Sequence, residues 1–133
     1  VRLDELFERA DVISLHAPAT PETHHIIDAA AFSRMKPGTY LINTARGDLV
    51  DESALVEALA SGRIKGAGLD VYEREPEITA GLFRFNNIVM LPHIGSATVE
   101  ARDKMAVMAA RNVRAVLEGL PPENPVPELA DLG

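Results

Sequence analysis

Thr39-Tyr40-Leu41-Ile42-Asn43-Thr44-Ala45-Arg46-Gly47-Asp48-Leu49-Val50-Asp51-Glu52 is the stretch whose reading decides the fold. Its first six residues form a short apolar run, the pattern of a strand. A glycine-bounded turn follows at Arg46-Gly47. Asp51 then stands where a helix N-cap belongs, ahead of Leu55, Val56, Leu59 and Ala60, and Gly62 supplies the stop. A strand that runs through a polar turn into a capped helix is half of a βαβ unit.

The same rhythm extends in both directions. Upstream, Leu3, Leu6, Phe7 and Ala10 fall on one helical face. Val12-Ile13-Ser14-Leu15-His16-Ala17 is a β-branched run stopped by Pro18 and is expected to be a strand covered on both faces. Asp28 is placed to cap a brief helix through Ala29-Ala30-Ala31-Phe32, which Lys36-Pro37-Gly38 ends. Downstream, Ile64 to Val71 is a strand whose Gly66-Ala67-Gly68 lets a neighbour approach closely. Tyr72 to Asn87 reads as a long polar connection, and Asn87-Ile88-Val89-Met90-Leu91 as a fourth strand ended by Pro92. Thr98 caps a long helix whose Ala101, Met105, Met108, Ala109, Asn112, Val113 and Val116 are expected to face the core, until Gly119, Pro121 and Pro122 stop it. The alternation predicts an α/β architecture, a doubly wound parallel sheet. Residues 120–133 are expected to be a proline-rich C-terminal arm.

Composition narrows the function classes. The chain has 133 residues, with 13 Lys plus Arg against 20 Asp plus Glu and a net charge of -7. It carries no basic block to track a phosphate backbone, so no nucleic acid partner is expected. No apolar run approaches the roughly twenty residues that span a bilayer, and no leader pattern is seen, so no membrane association is expected. The absence of cysteine removes disulfides, thiolate nucleophiles and Cys-type metal sites, and a cytoplasmic setting is the default expectation. The chain opens at Val1 in what reads as the interior of a domain, so a fragment is expected.

Ligands of open parallel sheets bind outside the carboxyl ends of the strands. Here those ends carry His16-Ala17-Pro18, then Asn43-Thr44-Ala45-Arg46-Gly47, then Asp70-Val71-Tyr72 with Glu75 beyond, then Pro92-His93-Ile94-Gly95-Ser96. The residue types suit one chemistry. Arg46 offers a planar fork for a carboxylate. His93 is able to give and take one proton near neutrality. Glu75 is expected to fix the His93 ring through its other nitrogen and to raise the pKa of that ring. Asp70 could accept from an amide. Together these assemble carbonyl reduction, with a hydride from one side and a proton from His93. Rival readings exist for each residue: an ion pair with a carboxylate for Arg46, a bond to backbone for His16, and helix capping for Asp48, Asp51 and Glu52. The His24-His25 pair is read as a solvated surface pair, and no metal site is expected.

At Asn43 to Asp51, Gly68-Leu69-Asp70-Val71 to Glu75-Pro76, and Leu91-Pro92-His93-Ile94-Gly95-Ser96-Ala97-Thr98, the sequence closely resembles the D-isomer-specific 2-hydroxyacid dehydrogenases, and Leu15-His16-Ala17-Pro18 through Thr23 fits the same family. The resemblance runs from about Leu3 to Leu120. It implies a Rossmann-like nucleotide domain, of which residues 1–119 are the C-terminal part, and a catalytic set of Arg46, Glu75 and His93. It further implies that Asp70 lies near the nicotinamide carboxamide, with His16, Pro18, Thr44, Ala45, His93 and Gly95 beside NAD or NADP. The Pro-His-Ile-Gly-Ser-Ala-Thr wording is most similar to the glyoxylate and hydroxypyruvate reductases, with a small 2-oxo acid as substrate and a homodimer as assembly. The family's Gly-x-Gly-x-x-Gly turn is not in the sequence: Gly66-Ala67-Gly68 lacks the third glycine and is read as strand packing. The piece alone is therefore expected to bind cofactor poorly and to be inactive. Phosphoglycerate dehydrogenase and a dinucleotide-sensing corepressor of the same fold remain alternatives. Formate dehydrogenase resembles a version with Gln at the Glu75 position, so Glu75 argues against it.

Overall fold

The computed structural model describes residues 1–126, so the end of the expected terminal arm lies outside the described residues. The order of elements is α1 (Leu3–Arg9), β1 (Val12–Leu15), α2 (Ala29–Arg34), β2 (Thr39–Asn43), α3 (Glu52–Ala60), β3 (Ile64–Leu69), β4 (Ile88–Met90) and α4 (Val99–Leu117). Short 3-10 turns add Gly47–Leu49 and Ala80–Arg84. The four strands form one sheet in the order β1-β2-β3-β4, every pair parallel. This is the expected α/β, Rossmann-like parallel sheet with flanking helices.

Local chemistry sets the boundaries. The Asp28 carboxylate accepts from the Ala31 N–H at 2.8 Å and starts α2. That helix ends against Arg63, whose guanidinium donates to the carbonyls of Phe32, Ser33 and Met35 at its C-terminal end. Asp51 caps α3 by accepting from the N–H groups of Ser53 and Ala54 at 2.9 and 3.0 Å, and Gly62 leaves it at φ +69. Thr98 caps α4 through the Ala101 N–H. In β3, a Cβ on Gly66 would stand 2.4 Å from the Asn87 carbonyl oxygen, and one on Gly68 would stand 3.1 Å from Ile42. Gly66-Ala67-Gly68 is strand packing, as expected.

The core lies on one face of the sheet, where Ile13, Leu15, Leu41, Ala67 and Leu69 meet Phe7, Phe32, Leu55 and Leu59. The expectation that β1 is covered on both faces is corrected. Its burial alternates, with Val12 58% exposed, and Tyr40 on β2 and Val89 on β4 are exposed too. An unbroken apolar run reports that both faces are apolar, not that both are covered. The connection from Tyr72 to Asn87 also contains more structure than its polarity suggests, for its Ala80–Arg84 turn drives Leu82 to 0% exposure.

The chain divides into two compact units, Val1–His93 and Ile94 onward, and the expected boundary after residue 119 falls within the second. In the second unit none of α4's residues is buried, and Met105, Met108, Val113 and Val116 are each at least 45% exposed. The expected core-facing stripe is therefore not core: helical periodicity marks an amphipathic helix without saying what lies opposite it. Beyond Gly119 the tail folds back at least as far as Asn124, whose N–H donates to the Asn112 side chain at 3.0 Å. Among the described residues no helix is long and apolar enough to cross a membrane.

Candidate active site

Parallel pairing brings the carboxyl ends of all four strands to one edge of the sheet, and two clusters of polar groups form there. The first is built on the ends of β1 and β2. His16, Ala17, Pro18, Ala19, Thr44, Ala45 and Arg46 line an open cleft of about 600 Å³. His16 Nε2 sits 2.8 Å from Ser14 Oγ, so its partner is a side chain of its own strand and not the backbone. The Pro18 carbonyl is fixed by the Thr23 hydroxyl at 2.7 Å, which closes the 18–23 turn. The Arg46 guanidinium donates to the Ala45 carbonyl at 2.6 Å and is exposed. Among the described residues it makes no ion pair with a carboxylate, unlike its rival reading.

The turn that presents Arg46 is held from beneath by Asn43, 1% exposed. The Asn43 side chain donates to the Arg46 carbonyl at 2.8 Å and accepts from the Ala45 N–H at 3.1 Å, while its backbone carbonyl accepts from the Asp70 N–H. Gly47 follows because nothing larger fits: a Cβ there would lie 2.0 Å from the carbonyl carbon and oxygen of Tyr72. This contact presses the β2 turn onto the segment after β3.

The second cluster stands on that segment. Glu75 Oε2 lies 2.8 Å from His93 Nδ1, and Glu75 Oε1 accepts from the Tyr72 N–H at 3.0 Å. The hydrogen bond from His93, helped by that from Tyr72 and opposed by burial, holds the Glu75 carboxyl below its ordinary range. An ionised carboxylate only accepts, so Nδ1 of His93 carries the hydrogen between them and Nε2 is left for other chemistry. His93 adopts φ 54, in the left-handed region, and its side chain is about half exposed. Tyr72 is buried and its hydroxyl donates to the Leu91 carbonyl at 2.8 Å. Burial first, then the charges of Asp70, Glu52 and Glu75, push its pKa up. Tyr72, Glu75, Pro76, Ile78, Pro92 and His93 line a smaller cavity of about 180 Å³.

The structure thus brings Glu75 and His93 into direct contact and gathers His16, Pro18, Thr44, Ala45 and Arg46 around one cleft. Asp70 is 2% exposed at the end of β3, and Gly95 belongs to the second unit. Four residues that the sequence reading did not assign to the site hold it in place: Asn43, Gly47, Tyr72 and Glu52. The expectation that Glu52 caps α3 is corrected. Its side chain, 3% exposed, accepts from the Glu73 N–H at 2.9 Å and from the Thr79 N–H at 3.3 Å, because Asp51 already satisfies the helix end. The His24 and His25 rings stack with centroids 3.9 Å apart; His24 is exposed, as read from the sequence, while His25 is partly buried with Nε2 3.3 Å from Glu73. Among the described residues no group of three or more His, Cys, Asp or Glu side chains is placed to hold a metal ion.

Residues 1–95 match the model of the NAD binding domain of the D-isomer specific 2-hydroxyacid dehydrogenases. The chain belongs to this family. A glyoxylate reductase of Thermofilum pendens is 53% identical over 122 residues, which cover 90% of this chain and 36% of that protein. A glyoxylate reductase of Thermococcus litoralis is 49% identical over 124 residues, covering 93% of this chain and 38% of that protein. Among solved structures, the NADPH-dependent glyoxylate/hydroxypyruvate reductase of Sinorhizobium meliloti, in complex with NADP and malonate, superposes with a TM-score of 0.87 at 39% identity, covering 95% of this chain and 40% of that one. The chain spans well under half the length of these dehydrogenases.

Proposed function

We propose that this chain is part of an NAD(P)-dependent reductase of small 2-oxo acids, of the glyoxylate or hydroxypyruvate type. The observation that carries the reading is the Glu75–His93 pair, 2.8 Å apart, at the same sheet edge as Arg46. A nicotinamide dinucleotide fits the residues present. The cleft at the ends of β1 and β2 is lined by the small side chains Ala17, Ala19 and Ala45 and by the polar His16 and Thr44, a setting for a flat ring with a polar substituent. His16, Pro18, Thr44, Ala45, Asp70, His93 and Gly95 are the residues proposed to hold it. When bound, the dinucleotide supplies the hydride that reduces the substrate carbonyl.

The remaining work falls to this chain's side chains. Arg46 grips the substrate carboxylate in two parallel hydrogen bonds and so fixes the direction of the carbonyl. Glu75 holds Nδ1–H, which orients the ring and stabilises the imidazolium, and Nε2 delivers its proton to the oxygen that becomes alkoxide. In oxidation the same nitrogen takes the proton back. The proposal extends to residues 1–119 as the C-terminal part of the nucleotide domain, 120–133 as its terminal arm, a homodimeric assembly and a cytoplasmic setting; this last rests on the cysteine-free composition.

The test is turnover of glyoxylate and hydroxypyruvate by the complete protein that contains this chain, followed by the loss of NADH or NADPH. His93→Ala is expected to lower kcat by a factor on the order of 10² to 10⁴, the usual worth of a general acid. An unchanged rate would overturn the assignment.

A further inference from the structure

Glu52 is a buried acid whose only placement in the sequence is next to a helix cap, and the cap is already made by Asp51. A carboxylate that is 3% exposed is costly unless its oxygens are paired, and both of these oxygens are. Oε1 takes the Glu73 N–H at 2.9 Å and Oε2 takes the Thr79 N–H at 3.3 Å. One side chain therefore fastens both ends of the excursion from 73 to 79, and Glu75 rides on that excursion. Inside it the Glu77 N–H returns to the Arg74 carbonyl at 2.9 Å, so the loop is closed at its middle as well as at its base. Glu52 also follows Arg46 by one short turn of chain, and Gly47 in that turn is packed against Tyr72 at the root of the same excursion.

We propose that Glu52 is a positioning residue for the reaction, holding the 73–79 loop so that the Glu75 carboxylate meets His93. The inference rests on the reading of Glu75 as the partner of His93 and adds to it the device that sets their distance. Glu52 touches neither substrate nor cofactor in this scheme. It acts through two backbone N–H groups.

The test reads Glu75 directly. Carbon-13 labelling of the Glu side chains allows the Glu75 carboxyl to be titrated by NMR in the complete protein that contains this chain, as the parent, as Glu52→Gln and as Thr79→Pro. Glu52→Gln keeps the shape and turns one acceptor into a donor facing an N–H. Thr79→Pro removes a single donor at a position whose φ of -55 suits proline, and leaves Glu52 intact. The expected result is a Glu75 titration midpoint that rises toward the ordinary glutamate value in both variants, with a smaller rise in Thr79→Pro. A folded Glu52→Gln chain whose Glu75 titrates as in the parent would overturn the proposal. If Glu52→Gln does not fold, Thr79→Pro decides by the same criterion. In the complete protein, kcat for a 2-oxo acid is expected to fall about 10- to 100-fold in Glu52→Gln, the scale of a small misplacement of a reacting group, with KM little changed. Combining it with Glu75→Gln is expected to add little beyond Glu75→Gln alone, because both act on one contact. Absence of turnover in every form, with the Glu75 midpoint still shifted, would overturn the reductase reading and leave the positioning role of Glu52 standing.

Discussion

Replacing Gly47 by alanine tests how tightly the two halves of the site are pressed together. A Cβ at this position would lie 2.0 Å from the Tyr72 carbonyl carbon and oxygen and 2.5 Å from the Glu73 nitrogen, whereas ordinary contact begins at 3.4 Å. The shortfall is 1.4 Å against backbone, which cannot rotate away as a side chain would. Relief requires the Tyr72-Glu73 segment to withdraw. That segment is tied by the Tyr72 hydroxyl to Leu91, by the Tyr72 N–H to Glu75 and by the Glu73 N–H to the buried Glu52. Overpacking costs about 1–3 kcal/mol and losing a bond to a buried charge about 1.5–3, so Gly47→Ala is expected to cost about 3 kcal/mol and to lower Tm by about 10 °C. Urea and thermal unfolding followed by circular dichroism measure this. Gly62→Ala is the control, since Gly62 has φ +69 and nothing within 4 Å of its missing Cβ; only backbone strain is at stake, and about 1 kcal/mol is expected. If Gly47→Ala proves no worse than Gly62→Ala, the close packing of the turn on Tyr72 is wrong.

Three further expectations follow from single contacts. Because the folded Glu75 carboxyl titrates below its unfolded value, its interaction with His93 stabilises the fold above the unfolded value and is lost as pH falls through the folded one. The difference in unfolding free energy between the parent and Glu75→Gln, measured against pH, should therefore shrink on acidification below the ordinary glutamate range. Asp51→Ala removes the acceptor for both the Ser53 and Ala54 N–H groups and should cost about 1 kcal/mol in urea unfolding. Leu41→Ala, at 0% exposure in the central part of the sheet, should cost about 2–5 kcal/mol by the same measurement.

What was legible in the sequence was local. Asp28, Asp51 and Thr98 announce helix starts because a cap is read within three residues of itself, and each accepts the N–H groups it should. The four strands announce themselves by short apolar runs between turn residues, and their alternation with helices is enough for a parallel sheet. The Glu75–His93 contact was reachable only because both residues sit just past strand ends that parallel pairing brings to one edge. Glu52 is opaque in the sequence for the converse reason. Its partners lie 21 and 27 residues away, and nothing near it in the chain reveals them, while a capping role was available next door. Leu82 was hidden by the polarity of its neighbours, and the open face of β1 and the exposed stripe of α4 were hidden because hydrophobic pattern describes a surface and not its cover.

Asn43 shows how narrow a buried position can be without being crowded. Its amide gives a hydrogen to one end of the Arg46 turn and receives one from the other. Aspartate, nearly the same size, would set a second acceptor against the Arg46 carbonyl; leucine would leave an N–H and a C=O with nothing to meet; glutamine would overshoot both. The site is thus closed to its nearest neighbours in shape by the polarity of two atoms. In a saturation library scored for folding, residue 43 should accept almost nothing but asparagine, while the exposed residues around it, Tyr40 and Thr44, vary freely.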